Sequence, residues 1–236
     1  MRLLAAAAVV ALTALSGCND TETHIKTKSQ PPTAPIVAAP KPQPVPEADF
    51  DFYVLALSWS PSYCEAEGSS ANPQQCNAKR PYGFVVHGLW PQYEKGYPEF
   101  CRTRQPERVP GRLVKAYRDI VPSAGLMGHQ WRKHGSCSGL GQSDYFALLR
   151  QARQRINIPA ELSRLDETRS VSPADIEQQF LAANLDLPPS GIAVTCDRRY
   201  LREVRICLTH DLSFRSCGEV DQNACRRPEI TMPPAR

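Results

Sequence analysis

Two apolar runs near the start of the folded region have the composition of β-strands. Residues 49–59 are rich in aromatic and branched apolar side chains, and the run continues into residues 60–64, so one central strand is predicted there. Residues 82–87 place three consecutive apolar side chains before His87 and predict a second, buried strand. Residues 88–91, Gly-Leu-Trp-Pro, are expected to turn the chain directly after that histidine.

The rest of the chain has the periodicity of helices first and of strands afterwards. Helices are predicted over residues 113–121, 129–135, 144–153 and 172–183. The first should stop before Pro122, because a residue before proline avoids helical geometry, and Ser172 should cap the last. Alternating apolar and polar positions then predict half-buried antiparallel strands at residues 192–196 and 200–208.

The first residues have the pattern of an export signal. Arg2 precedes an apolar run that ends at Leu15, which is too short to span a bilayer and is typical of a secretory signal. The run leads into Leu-Ser-Gly-Cys, which resembles a bacterial lipobox with Cys18 as the lipidated residue; an ordinary signal peptide with a coincidental cysteine is the alternative. Asn19 favours the outer membrane, by resemblance to lipoprotein sorting rules. We expect a periplasmic or outer-membrane, lipid-anchored protein, or a secreted one.

A proline-rich segment separates this signal from the folded region. Residues 19–48 contain seven prolines and no aromatic residue. Such a segment favours extended polyproline II, which could reach roughly 90 Å at ~3.1 Å per residue. The chain therefore divides into a signal peptide at residues 1–17, a tether at 18–48 and one domain at 49–236, since 236 residues with 42% hydrophobic content suit a single sizeable core.

Cysteine count and charge narrow the class of protein. Nine cysteines are present, and lipidation of Cys18 would leave eight that can form disulfides in an oxidising compartment, with 105 connectivities open. A zinc site is not favoured, because no spacing has the short Cys-x-x-Cys form. The net charge of the chain is +4. Residues 1–48 carry four cations and three anions, so residues 49–236 have a net charge of +3. A mildly basic domain suits a polyanionic ligand without requiring one.

Candidate chemistry is concentrated in residues 128–137, which contain two imidazoles, an ammonium group and an indole. In a helix, His129 would neighbour Lys133 and Gln130 would neighbour His134. Gly135 is expected to end that helix in a left-handed conformation. With His87 at a strand end, the two segments could supply an acid/base pair, although a single His near a Trp is often a plain core or surface residue.

Two segments of the chain resemble the two signature segments of the ribonuclease T2 family. They are His-Gly-Leu-Trp-Pro at residues 87–91 and His-x-Trp-x-Lys-His-Gly-Ser-Cys at residues 129–137. The resemblance extends over about residues 49–225. It implies an α+β single domain with a mixed, mainly antiparallel central sheet, flanking helices and disulfide staples. The pairing that it implies is Cys64 with Cys76, Cys101 with Cys137, Cys196 with Cys225, and Cys207 with Cys217.

The resemblance also implies a function and residue roles. It implies an endoribonuclease that converts single-stranded RNA to 2′,3′-cyclic phosphates and then 3′-phosphates, with His134 as general base, His87 as general acid and Lys133 stabilising the developing charge. His129 would contact a phosphate. No cofactor or metal is expected, because the sequence offers no carboxylate cluster to hold one. RNA is the expected partner, a membrane is contacted only through the lipid on Cys18, and the protein is expected to be a monomer.

Base contacts follow less directly from the resemblance. Trp90 and Tyr97 match aromatic positions that stack a base in relatives, with a simple buried role as the alternative for Trp90. Gln92 stands where some relatives carry an Asp that binds a purine, which leaves the base preference open.

Gln130 departs from the family pattern, which has Glu at this position. An amide can hold a neighbouring imidazole by a hydrogen bond but cannot raise its pKa by charge. Slower catalysis or a shifted pH optimum is expected. The alternatives are a catalytically weak pseudoenzyme of the same fold that binds RNA or an envelope partner, and a metal-dependent phosphodiesterase that EDTA would inactivate.

Overall fold

The computed structural model describes residues 49–79 and 81–235. The predicted signal peptide, the predicted lipidation site Cys18 and the predicted tether lie outside the described residues. The strands are β1 (Phe52–Trp59), β2 (Phe84–Gln92), β3 (Arg169–Val171), β4 (Ile192–Cys196), β5 (Leu201–Leu208) and β6 (Ile230–Met232). The α-helices are α1 (Ser60–Glu67), α2 (Pro73–Cys76), α3 (Gly111–Tyr117), α4 (Ala124–Lys133), α5 (Gln142–Arg155), α6 (Ala160–Ser163), α7 (Pro173–Ala183) and α8 (Gly218–Gln222).

Four strands form the central sheet, in the order β2-β1-β5-β4, and each neighbouring pair is antiparallel. The predicted α+β class with a mainly antiparallel sheet is confirmed. Among the described strands there is no parallel pair, only an isolated parallel bridge between Tyr200 and Thr231. A second sheet, of β3 and β6, was not expected from the sequence.

The two faces of the sheet differ because successive side chains of a strand point to opposite sides. On β1, the odd-numbered side chains from Tyr53 to Trp59 join the main hydrophobic core, which includes Phe146 of α5 and Phe180 of α7. The even-numbered Phe52 and Val54 belong to a smaller cluster on the other face, with Cys207 and Cys217. This less covered face is where the candidate site forms.

The structure corrects both predicted strand ends. Residues 60–64 do not continue β1: the chain enters α1 at Ser60, with Pro61 in the first turn, where its fixed φ and missing N–H suit a helix start. The chain also does not turn after His87. Strand β2 runs on to Gln92 and pairs with β1 along its whole length.

Each of the four predicted helices is present with different ends, as α3, α4, α5 and α7, whereas α1, α2, α6 and α8 were not predicted. Helix α7 begins after Ser172, whose hydroxyl accepts the Asp175 N–H as expected. Helix α3 is shorter than predicted and ends at Tyr117. Helix α4 starts earlier than expected, capped by the hydroxyl of Ser123, and ends at Lys133.

Gly135 does not adopt the predicted left-handed conformation. A Cβ at this position would lie 2.6 Å from Trp131 Cε3 and 2.8 Å from Tyr145 Cε1. Glycine is therefore needed for close packing against two buried rings, and the chain leaves α4 through a short 3-10 turn, Gly135–Cys137.

Four disulfides link Cys64 to Cys76, Cys101 to Cys137, Cys196 to Cys225, and Cys207 to Cys217. These are the pairs that the resemblance implies. Within residues 49–79 and 81–235, no helix has both the length and the apolar character needed to cross a membrane.

Candidate active site

His87 is presented by an irregularity in strand β2. Ala56 pairs with Gly88 and Leu57 pairs with Val86, so His87 is the extra residue of a β-bulge. Bulges bend a strand locally and redirect a side chain. His87 consequently reaches the less covered face of the sheet with its side chain 35% exposed.

Gly88 is required at the bulge for a steric reason. A Cβ there would lie far inside van der Waals distance of Gln130 Oε1 and of Trp90 Nε1. These two atoms form a hydrogen bond of 2.7 Å, in which the indole donates to the amide oxygen. The glycine thus lets α4 and β2 approach closely enough for this bond to form.

His134 follows the last residue of α4 and is only 6% exposed. Its ring stacks on Trp90, with centroids 5.2 Å apart and planes at 28°. His87 contacts the edge of the same indole, at 5.5 Å and 79°. Both predicted catalytic histidines therefore lie against one tryptophan, which sets their relative position.

The contacts of Gln130 differ from the expectation. Its side-chain oxygen accepts from Trp90, and its bond to His134 is the helical backbone one, from the His134 N–H to the Gln130 carbonyl. The expected side-chain bond from Gln130 to the His134 imidazole is not formed. Gln130, 2% exposed, holds the indole on which His134 stacks.

The remaining predicted residues surround the histidines at different depths. Tyr97 is 48% exposed, with its ring 5.9 Å from that of His134 and 5.6 Å from Lys133 Nζ. Lys133 also lies 3.5 Å from a carboxylate oxygen of Glu99. His129 is exposed on α4, one helical turn before Lys133.

Trp90 and Gln92 occupy alternate positions of β2 and so share one face of the sheet. The Trp90 ring is half-buried and already contacts His134 and, at 5.2 Å from the ring centroid, the Arg205 guanidinium. Gln92 donates a hydrogen bond to the Pro91 carbonyl. Tyr97 is the most exposed of the predicted aromatic base contacts.

The charge state of His134 is set by burial. Burial lowers the pKa of His134 to about 3, and the charges of Lys133, His87 and His129 act in the same direction. Its Nδ1 is buried and has no hydrogen-bond partner among the described residues. The imidazole is therefore neutral across the physiological range. The pKa of His129 is also lowered, by burial first and then by Lys133, Arg132 and His87.

Glu203 and Arg205, on strand β5, were missed by the sequence analysis. The Glu203 carboxylate is 7% exposed and accepts a hydrogen bond from His87 Nδ1. Its other oxygen accepts a hydrogen bond from Arg205 Nε at 2.9 Å and forms an ion pair with Arg205 Nη2 at 2.8 Å. Burial alone would raise the pKa of Glu203, but the bonds and charges of His87 and Arg205 outweigh it and lower the pKa to about 2.

A sequence signal for Glu203 did exist. Its strand was predicted correctly, and a carboxylate and a guanidinium two residues apart lie on one face of a strand. What the sequence lacked was the pairing register, which places Glu203 opposite Ser58 and Arg205 opposite Ala56, next to the bulge.

Chemically, the site combines a histidine bonded to a buried carboxylate, a neutral buried histidine, and a lysine with a third histidine beside them. Such a set can donate one proton, accept another and stabilise negative charge. Within the described part of the chain, no group of three or more His, Cys, Asp or Glu side chains could hold a metal ion.

The chain is similar to ribonucleases of known sequence. The sequence model of the ribonuclease T2 family matches residues 50–217. A ribonuclease of Aeromonas hydrophila is 37% identical over 200 residues, which cover 76% of this chain and 84% of that protein. Ribonuclease DdI of Dictyostelium discoideum is 27% identical over 195 residues, 73% of this chain and 80% of that one.

Solved structures show the same fold. An RNase-related protein from Calystegia sepium superposes with a TM-score of 0.64 at 21% identity, over 79% of this chain and 98% of that one. RNase NT, solved in complex with 5′-AMP, superposes with a TM-score of 0.60 at 22% identity, over 79% of this chain and 99% of that one.

Proposed function

Since this chain belongs to the ribonuclease T2 family and is an RNA endonuclease, we propose that it cleaves single-stranded RNA by transphosphorylation. The 2′-oxygen attacks the adjacent phosphorus, and the bond from phosphorus to the 5′-oxygen breaks. The products are a 2′,3′-cyclic phosphate and a free 5′-hydroxyl. Water then opens the cyclic phosphate more slowly to a 3′-phosphate.

The surroundings of the two histidines support an assignment of acid and base. Paired catalytic groups are told apart by their environments. Glu203 accepts a hydrogen bond from His87 Nδ1, which leaves Nε2 of that ring to serve the departing 5′-oxygen, and His87 is assigned as the acid. Buried, neutral His134 is the base that removes the 2′-hydroxyl proton. In the second step the two roles reverse.

Positive charge beside the base serves the transition state. Negative charge grows on the phosphoryl oxygens as the 2′-oxygen attacks, and a nearby cation stabilises it. Lys133 is proposed as this cation, and His129, one turn earlier on α4, as a phosphate contact. Glu99 lies near Lys133, is exposed, and offsets part of its charge.

Tyr97 is proposed as the stacking contact for a base, because its exposed ring lies beside His134 and stacking accepts any base. Trp90 is proposed to act chiefly as the surface that positions both histidines. Gln92, on the same face, would contact a base edge.

Export and a lipid anchor complete the proposal. Four disulfides are typical of a protein that folds in an oxidising compartment. We propose that a monomer is held in the periplasm, or at the outer membrane, by lipid on Cys18.

The observation that carries the mechanism is the bond from His87 to buried Glu203, with neutral His134 against the same indole. The test is incubation of purified protein with RNA in EDTA, followed by identification of the product ends. We expect 2′,3′-cyclic phosphates and no cleavage of DNA, which lacks the 2′-hydroxyl. His87→Ala and His134→Ala should each lower kcat by roughly 10²–10⁴-fold. Activity lost in EDTA and restored by a divalent ion would contradict the mechanism.

A further inference from the structure

A groove of about 660 Å³ lies beside the candidate active site, between the loop before α3, α3 itself and α4. Its walls carry four cations, Arg108, Lys115, Arg118 and Arg132, and one carboxylate, Glu107. The site described above makes no use of this groove.

The positive charge of the groove is not neutralised within the described structure. Among residues 49–79 and 81–235, none of these four cations forms an ion pair, whereas nearby Arg150 pairs with Asp119 at 2.7 Å. Residues 102–118 contain six Lys or Arg and one Glu, a local excess of five positive charges in a chain whose net charge is +4. Such a concentration of exposed, unpaired cations attracts a polyanion.

The floor of the groove lets a chain lie close to the protein backbone. Gly111 and Gly125 face open space, where an added Cβ would meet nothing within 4 Å. The guanidinium of Arg132 lies over Gly128, with Nη1 3.1 Å from the position of an added Cβ. Among the described residues that line the groove there is no aromatic ring. These features suit phosphates and give no platform for stacked bases.

Helix α4 joins the groove to the catalytic residues. Successive residues of a helix are about 100° apart, from 3.6 residues per turn. Gly125, Gly128 and Arg132 therefore form one stripe that lines the groove, and His129 and Lys133 form the stripe next to it. Arg132 is near enough to His129 for its charge to contribute to the lowered pKa of that imidazole.

We infer that this basic groove binds backbone phosphates of the RNA on one side of the scissile bond, independently of base sequence. A strand whose scissile phosphate lies at His129 and Lys133 can continue over Arg132 into the groove. The inference rests on the proposed function for its ligand, single-stranded RNA. An anionic lipid surface would use the same phosphate chemistry, but the continuity with the catalytic stripe of α4 favours RNA.

The first test compares two triple variants with the same change in charge. Arg108→Ala/Lys115→Ala/Arg118→Ala removes three groove cations, and Arg169→Ala/Arg198→Ala/Arg227→Ala removes three exposed cations elsewhere. The measured quantity is kcat/KM for a long single-stranded RNA divided by kcat/KM for a dinucleotide, which has no flanking phosphate. We expect this ratio to fall at least several-fold in the groove variant and to stay near the wild-type value in the other.

The salt dependence of oligonucleotide binding is a second measurement on the same two triple variants. Each phosphate contact to a single strand contributes ~0.7 to the slope of log affinity against log salt. The groove variant should bind a non-cleavable 2′-O-methyl oligonucleotide with a slope smaller by about 2, and the other variant should keep the wild-type slope. Equal ratios and equal slopes in the two triple variants would overturn the inference.

A single-site pair separates charge from shape. Gly125 has room for a side chain, so Gly125→Glu and Gly125→Gln differ only in charge. We expect the Glu variant to weaken oligonucleotide binding more than the Gln variant, with equal melting temperatures. Equal weakening would count against phosphate recognition.

The binding assay keeps this inference distinct from the proposed function. A wild-type protein that cleaves neither substrate would defeat the proposed function, and oligonucleotide binding by the groove variant would still decide the inference. The last experiment measures binding of the same variants to vesicles containing phosphatidylglycerol. If the groove variant loses vesicle binding and keeps oligonucleotide binding, the groove serves a membrane and the inference is wrong.

Discussion

At the scale of single residues, two identical side chains are given different environments by their neighbours. His87 bonds to the carboxylate of Glu203, whereas His134 is buried against Trp90 and has Lys133 beside it. Burial and a neighbouring cation favour the neutral imidazole of His134. The difference lies in the surroundings, which the fold assembles from β2, β5 and α4.

Replacing Glu203 by Gln tests its role as a positioning residue for His87. The amide keeps the shape and can still accept one bond from Arg205, but the carboxylate that holds His87 Nδ1 is gone. We expect kcat/KM on a dinucleotide to fall about tenfold, less than the 10²–10⁴-fold that loss of a positioned acid costs. The loss should fall on kcat, with KM little changed.

The matched control for this substitution is Glu177→Gln. Glu177 is a half-buried carboxylate that accepts the Val194 N–H at 2.8 Å, away from the site. It should change melting temperature without changing kcat. If Glu203→Gln also leaves kcat unchanged, its role is structural only.

The lowered pKa of His134 predicts a difference between two pH profiles. In the free enzyme the imidazole is neutral above about pH 3, because burial and the charges of Lys133, His87 and His129 all disfavour the cation. A bound phosphate offsets the effect of those charges, so the pKa of His134 should rise in the complex. Since kcat/KM reports the free enzyme and kcat the complex, the acid limb of kcat should lie at higher pH.

Removing the charge of Lys133 tests whether that charge lowers the pKa of His134. Lys133→Met should move the acid limb of kcat/KM to higher pH even though the rate falls, because one of the charges that lower the pKa of His134 is gone. Coincident acid limbs for kcat and kcat/KM in the wild type, unmoved in Lys133→Met, would show that His134 is not the titrating base.

At the scale of elements, the features that were predicted correctly are those that depend on residues close together in the sequence. The cap at Ser172 was found, and so were strands β4 and β5. The expected half-buried alternation was not: the first three residues of β4 and the last three of β5 are all buried. The predicted end of β1 and the predicted turn after His87 were wrong. Pro61 suits the start of a helix, so β1 ends at Trp59. Strand β2 continues past His87 because β1 offers it a partner strand along its whole length.

The candidate site was predictable to the extent that it is carried by short motifs. His87, His129, Lys133 and His134 lie within two segments of the chain, and the structure brings them together. Glu203 could not be assigned, because its contact with His87 spans 116 residues and depends on strand register and on the bulge. A register shift of one residue would turn Glu203 to the other face of the sheet.

The Cys101–Cys137 disulfide has an element-scale function that can be tested. It joins the end of α4 to the loop that carries Tyr97 and Glu99, and the Phe100 N–H donates to the Lys133 carbonyl beside it. Cys101→Ser/Cys137→Ser should therefore loosen Tyr97 and Lys133 relative to His134. We expect a lower kcat/KM on a dinucleotide at a temperature where the variant is fully folded.

Cys64→Ser/Cys76→Ser is the matched control. The two bridges span 36 and 12 residues, for which chain entropy gives about 4 and about 3 kcal/mol of stabilisation respectively. Both variants should therefore lose comparable stability, and only the first should lose activity while folded. Equal kcat/KM in the two would show that the Cys101–Cys137 bridge serves stability alone.

At the scale of the whole molecule, the distribution of charge matters more than its total. A net charge of +4 is unremarkable for a protein of this length, but an excess of five positive charges falls within residues 102–118, beside the catalytic helix. Charge concentrated at a cleft raises the local concentration of a polyanion and directs its approach. The fold thus places an electrostatic attraction next to α4, the helix that carries His129 and Lys133.

The export hypothesis predicts separate fates for the ninth cysteine and the other eight. Eight are paired in the structure, and Cys18 stands after a lipobox-like tetrad. In a bacterial host, wild-type protein should fractionate with membranes and incorporate labelled fatty acid. Cys18→Ala should be free of label and soluble in the periplasm, with unchanged kcat/KM on a dinucleotide, because the site lies wholly within the folded domain.

Thiol counting on denatured, unreduced Cys18→Ala protein should find no free thiol, since the remaining cysteines are all oxidised. Cys64→Ser/Cys76→Ser should retain the lipid label. Unlabelled wild-type protein in the soluble fraction would instead identify residues 1–17 as an ordinary signal peptide, and two or more free thiols would contradict the disulfide pairing.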